Sequence, residues 1–103
     1  MRVEFAEGFH EDLERIRGPL VANGARVAAR LEEIFEALRL LGHSPYIGQG
    51  VEGGLRQLVI GDRRRNRGYV ALYDVFDTVD PEADDAGLVI VNAIRSWHEG
   101  GYH

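Results

Sequence analysis

Four side chains of this 103-residue chain have types and positions that could act on an anion: Arg56, Arg95, His98 and Tyr102. Arg56 opens a short apolar run, and strand alternation puts it on the same side as Leu58 and Ile60, with Tyr69 sharing a side with Ala71 and Tyr73. On an open sheet face Arg56 could meet Tyr73, Arg95 or His98 and form a patch for phosphate or carboxylate, because the planar guanidinium fork fits both groups. His98, followed by Glu99 and Tyr102, could serve as a general acid or base, since imidazole titrates near ~6.5. Each has a simpler reading: Arg56 as a surface ion pair, His98 as an incidental histidine near the terminus, Trp97 and the tyrosines as packing residues with polar tips. No nucleophile motif or phosphate loop accompanies them. His10, His43, His98 and His103 lack ligand spacing, and a chain with no cysteine has neither disulfides nor thiolate metal ligands. Neither a metal nor a cofactor is expected.

The elements that must position these residues centre on 54–73. Leu55 to Ile60 and Tyr69 to Phe76 are rich in β-branched, leucine and aromatic residues, and the polar, glycine-bounded segment 61–68 joins them as two strands. Upstream, Arg2 to Phe5 alternates and predicts a short strand. Phe9, Leu13, Ile16 and Leu20 then lie on one helical face, with Glu11, Asp12, Glu14 and Arg15 expected outside. Gly18-Pro19 is expected to end or kink this helix, because proline lacks an amide proton and crowds the preceding turn. Asn23-Gly24 marks a second break. Val27, Leu31, Ile34, Phe35, Leu38 and Leu41 form an apolar stripe ended by Gly42, so the two helices make a hairpin. The segment 43–54 reads as a loop too glycine-rich for regular structure. Pro81 and the acidic residues around it predict an extended, solvated connection after a strand that fades near Phe76 or Val79. Leu88 to Ile94 is a near-continuous apolar run, suited to a central strand covered by helices. The order β-α-α-β-β-β predicts an α+β fold, with the N-terminal strand and helical hairpin packed on a small antiparallel sheet and a short C-terminal tail after it.

Composition bounds the class. With 45% hydrophobic residues a core is within reach, and residues 1–103 are expected to form a single domain. No stretch approaches the ~20 apolar residues of a membrane span, and Met-Arg-Val-Glu-Phe lacks a signal peptide's apolar run; a soluble, cytoplasmic protein is expected. The net charge of −5 argues against a nucleic-acid partner, but it is unevenly spread. Across 47–73 five arginines face two carboxylates, a local +3, whereas 74–90 carries six carboxylates and no cation. Arg63, Arg64, Arg65 and Arg67 are read as a solvated turn that the acidic segment partly neutralises, with an anion-contacting edge as the functional alternative.

Taken together, Val3-Glu-Phe5, Asp12-Leu-Glu-Arg-Ile16, the long helix ending Leu41-Gly-His-Ser-Pro45, Ile47-Gly48, Gly54-Leu-Arg-Gln-Leu58, Arg67-Gly-Tyr-Val-Ala-Leu-Tyr73 and Ala93-Ile-Arg-Ser-Trp-His-Glu-Gly-Gly-Tyr102 resemble the RelE/ParE superfamily of toxins from type II toxin–antitoxin (plasmid stabilisation) modules. The resemblance covers nearly the whole chain. It implies a cognate antitoxin whose C-terminal segment wraps the toxin, and a homodimer or toxin–antitoxin hetero-oligomer as the assembly. It also implies one of two targets. RelE-like members are metal-independent endoribonucleases that cut messenger RNA, typically on the ribosome, with basic residues on the scissile phosphate and a C-terminal tyrosine or histidine for proton transfer. ParE-like members poison DNA gyrase by binding. RelE-like enzymes tend to carry arginine directly after the third-strand tyrosine, where this chain has Val70 after Tyr69, and their tail Arg-Glu pair appears here as His98-Glu99. Arg56 and Arg95 match arginines of both branches and Tyr102 the terminal tyrosine, so Arg56, Arg95, His98 and Tyr102 are the catalytic set under the ribonuclease alternative. Two missing cations at a phosphate site remove much transition-state stabilisation, at ~3 kcal/mol for one such contact. The resemblance therefore points to the ParE-like branch, a binding toxin rather than an enzyme; the alternatives are a ribonuclease in which His98 serves as replacement acid or base, and a toxin-fold protein that has lost toxicity and persists as a binding partner.

Overall fold

The computed structural model describes residues 1–22, 26–61, 68–77 and 87–96. Its elements run β1 (Arg2–Phe5), α1 (Glu7–Ala22), α2 (Val27–Arg39), a 3-10 turn at Leu40–Gly42, β2 (Gln49–Gly50), a second such turn at Glu52–Gly54, β3 (Arg56–Ile60), β4 (Tyr69–Asp77) and β5 (Gly87–Ser96). The strands form one sheet in the order β1-β5-β4-β3-β2. The pairings are antiparallel except that of β1 with β5, which is parallel, the helical hairpin and three strands lying between them in sequence. This is the expected α+β architecture with β2 added. The strand β2 pairs only Gln49 with Gln57 and Gly50 with Arg56, so the glycine-rich loop does hold two residues of regular structure.

Two local expectations are corrected. Helix α1 continues through Gly18 and Pro19 to Ala22. Pro19 forfeits one hydrogen bond, to the carbonyl of Arg15, but it lies near the helix end on the exposed side, and Leu20 beyond it still packs against the core. Asp12, expected outside, is buried. It sits three residues after Phe9 and four before Ile16, on the apolar stripe itself.

The core lies between the hairpin and one face of the sheet. Phe9 and Ile16 of α1, Ile34 and Leu38 of α2, and Leu41 beyond it meet Ile60, Tyr69, Ala71, Tyr73, Val89, Val91 and Ile94. Aromatic packing ties the first strand to both helices: the Phe5 ring lies 4.8 Å from Phe9 and edge-on to Phe35 at 5.8 Å. A register shift between Leu72 and Tyr73 inserts Asn92 as an extra residue in β5, since Leu72 pairs with Ala93 but Tyr73 with Val91. The bulge changes the parity of β5, so that Val89, Val91 and Ile94 all face the core. The expected turn at 62–67, the expected break at 23–24, the expected acidic connection over 78–86 and the expected tail at 97–103 lie outside the described residues. No helix among the described residues is long and apolar enough to cross a membrane.

Gly18 is an exposed helical glycine, and beyond its own helix backbone and its two chain neighbours, one of them Pro19, an added Cβ would meet nothing within 4 Å. Because a proline ring crowds the Cβ of a helical residue before it, Gly18→Ala alone is expected to gain little, whereas Gly18→Ala combined with Pro19→Ala should stabilise the protein by about 1 kcal/mol or more, read as a higher urea midpoint at unchanged slope.

Candidate functional site

The structure places Arg56 and Arg95 apart. Arg56 pairs across β3 and β4 with Tyr73, and Arg95 across β4 and β5 with Val70. Tyr73 and Val70 are three positions apart on one strand and hence point to opposite faces, which puts the two arginines on opposite sides of the sheet. His98 and Tyr102 lie outside the described residues, as do Trp97 and the arginines of 63–67.

Both Arg56 and Arg95 already have intramolecular partners. One guanidinium nitrogen of Arg56, Nη2, donates to the backbone carbonyls of Gly48 at 2.8 Å and Tyr46 at 3.2 Å. Its Cζ lies 5.2 Å from the centroid of the Tyr46 ring, within cation–π range. Its Nε is buried without a hydrogen-bond partner, so the fork is only half satisfied. Arg56 thereby fastens the loop 43–50 to the start of β3. The same loop is held from below by Tyr73, whose buried hydroxyl accepts the Gly48 N–H at 2.9 Å. A Cβ on Gly48 would come within 2.6 Å of both that hydroxyl and the Gln57 carbonyl, which explains why glycine stands there. Tyr46 completes the cluster by donating its hydroxyl to Asp77.

Arg95 belongs to a second cluster, around Asp12. The Asp12 carboxylate accepts the buried Ile94 N–H at 3.0 Å, pairs with Arg15 at 3.0 Å and lies 2.6 Å from Arg95 Nη1. The Arg95 contact is an ion pair rather than a directed hydrogen bond, because the N–H bonds of Nη1 do not point along it. Asp12 is thus a centre that the pattern of polar residues did not reveal. Its place on the apolar stripe of α1 was the available signal.

Two phenols have raised pKa values. For exposed Tyr46 the hydrogen bond to Asp77 is the largest cause, followed by desolvation and the Asp77 charge, with Arg56 acting the other way. For Tyr69 the cause is burial, opposed by Arg30 and reinforced by Glu33. No described trio of histidine, aspartate or glutamate is arranged to hold a metal ion. Chemically, both arginine clusters brace the fold, and neither presents a pair of free cations to one phosphate.

A helical hairpin over one face of a small sheet, closed by an N-terminal strand parallel to the last strand, is the fold of RelE/ParE superfamily toxins. The chain belongs to the family described as the ParE toxin of the type II toxin-antitoxin system, parDE, whose model matches residues 3–98. No curated protein matches it.

Asp12→Ala is expected to lower the unfolding free energy by roughly 3 kcal/mol, because it strands the Ile94 amide and the Arg95 charge together. Arg95→Ala should cost less, since Arg15 and the Ile94 amide still hold the carboxylate; equilibrium urea unfolding of both variants checks the order. The phenols set an alkaline limit. Because their folded pKa values exceed the unfolded value of 10.0, their contribution is complete below pH 10 and is lost as pH rises through the folded values. Stability should therefore fall above pH 10, and Asp77→Asn should bring one phenol's absorbance titration to lower pH.

Proposed function

We propose that this toxin acts by binding DNA gyrase rather than by cutting RNA, as one toxin domain over residues 1–103 that works in the cytoplasm and is silenced by its cognate antitoxin. The observation that supports the reading is the separation of Arg56 and Arg95, on opposite sheet faces with their charges spent on the loop carbonyls and on Asp12. A ribonuclease site built on Arg56, Arg95, His98 and Tyr102 needs those groups within hydrogen-bond reach of one phosphate, and the two described members do not share a face. Val70 agrees with this. It occupies the position where RNA-cutting relatives tend to carry arginine, and it is almost wholly buried. A binding toxin needs surface complementarity instead, and the chain exposes Tyr46, Ile47, Val51 and Phe76.

Controlled expression with parallel readouts tests the reading. Growth arrest with gyrase-stabilised breaks in supercoiled DNA and intact transcripts is expected, and purified toxin with purified gyrase should reproduce the breaks. Transcript cleavage without DNA breaks would assign the protein to the ribonuclease branch.

A further inference from the structure

The outer edge of β3 is open over a short stretch. β2 pairs with Arg56 and Gln57 and goes no further, and past the other end Gly61, at a φ of 84°, turns the chain out of the strand. Between them lie Leu58, Val59 and Ile60. In an antiparallel ladder alternate residues direct their N–H and C=O to the same side. Val51 donates to the Leu55 carbonyl at 2.9 Å and Gln49 lies opposite Gln57, so Leu55, Gln57 and Val59 turn their backbone groups away from β4. The first two find partners there. The N–H and C=O of Val59 have none among the described residues.

Exposed sheet edges are usually guarded by charge, proline or a bulge. β1, the terminal strand on the far side of the sheet, carries the exposed charges of Arg2 and Glu4. Leu58-Val59-Ile60 carries no such device. Beside it runs a groove of about 610 Å³ between α2 and the edge, whose apolar lining is Ala37, Leu40, Val59 and Ile60. Leu40 is 55% exposed and Val59 37%. The charges of the groove are ordered along α2. Glu33 and Glu36 lie towards the Ile60 end, since the Glu33 charge bears on the Tyr69 phenol and Tyr69 is the cross-strand partner of Ile60. Arg39, with His43 beyond it, lies towards the Gln57 end, where the chain leaving α2 returns to the edge at Gln49. Neither Glu36 nor Arg39 forms an ion pair among the described residues.

We propose that two copies of this chain pair along this edge, β3 against β3 in antiparallel register about a two-fold axis at Val59. The stretch is complementary to itself. Val59 opposite Val59 makes both reciprocal N–H to C=O bonds, Leu58 stands opposite Ile60, and the open edge of each copy ends where β2 of one meets Gly61 of the other. A longer donor strand would run into Gln49. The same axis reverses α2, so Glu33 and Glu36 of one copy face Arg39 of the second, twice over, and each copy contributes an exposed Leu40. The contact is small, so association is weak and depends on concentration. The proposal concerns the free chain and stands apart from the choice of cellular target.

Sedimentation of the purified full-length protein, from micromolar to near-millimolar concentration, tests it. A reversible monomer–dimer equilibrium is expected. Val59→Pro should weaken it about tenfold or more; the lost N–H points away from β4, so the β3–β4 bonds survive, and thermal melts check the fold. Glu36→Arg and Arg39→Glu should each weaken self-association about tenfold at low salt, and an equimolar mixture of the two variants should regain it, because the reversed charges then face each other. Recovery on mixing cannot come from damage to either fold. A protein that stays monomeric throughout, or a dimer indifferent to Val59→Pro, overturns the proposal. A dimer broken by Val59→Pro whose charge variants do not recover on mixing refutes the two-fold register. A monomer whose binding to the antitoxin encoded with it is lost on Val59→Pro would give the edge to that partner instead.

Discussion

The hydrogen bond from the Ile94 amide to the Asp12 carboxylate is the contact on which the arrangement of the chain depends. β1 pairs with β5 only as far as Phe5 opposite Val91, with the Ala6 amide adding one further bond to the Val91 carbonyl. Beyond that point no strand among the described residues lies on that side of β5, and an amide left buried and unpaired is costly. Helix α1 follows β1 directly and fills the place of the missing strand, with Asp12 supplying the acceptor. A carboxylate brought so far from water needs countercharge, and Arg15 from the same helix and Arg95 from the same strand provide it. One polar constraint therefore sets where α1 lies, brings Phe9 and Ile16 into the core, and commits Arg95 to a structural partner.

The bulge at Asn92 completes that geometry. An unbroken β5 would put alternate residues on the core face throughout, and Ile94 would turn away from it. With Asn92 inserted, Val91 and Ile94 both point inward and Arg95 points to the opposite face. The extra residue is itself tied down, its side-chain amide donating to Asp74 at 2.8 Å. At the other end of the sheet Arg56 and Tyr73 perform the same kind of task for the loop 43–50, one through its guanidinium and the other through its hydroxyl. Both arginines that suggested anion chemistry are thus part of how the sheet is finished at its ends. Such a scaffold is suited to presenting surfaces, which is the property a protein-binding toxin requires.

The strand and helix order was legible in the sequence because it rests on local periodicity. The alternation of Arg2 to Phe5, the stripe from Val27 to Leu41 and the apolar run from Leu88 onward each reflect one face packing on a core. Single-residue exceptions were harder to read. Pro19 did not stop α1, because one missing hydrogen bond near an exposed helix end is outweighed by the packing of Leu20 beyond it. Asp12 looked like a solvent residue by type, although its spacing from Phe9 and Ile16 placed it on the buried stripe. The two residues of β2 could not be read, since only their pairing with Arg56 and Gln57 makes them a strand.

By itself the sequence determined the class of the fold, the composition of the core and, through motifs spread along nearly the whole chain, the toxin superfamily. These follow from hydrophobic spacing and residue identity, which are properties of the chain read in order. Only the tertiary structure decided which way the arginines point. The side a strand residue faces depends on register, and register in β5 turns on a single inserted residue whose effect appears when β4 lies beside it. For the same reason the partners of Arg56 and Arg95, a loop carbonyl eight residues away and a helix carboxylate at the other end of the chain, belong to the folded molecule alone.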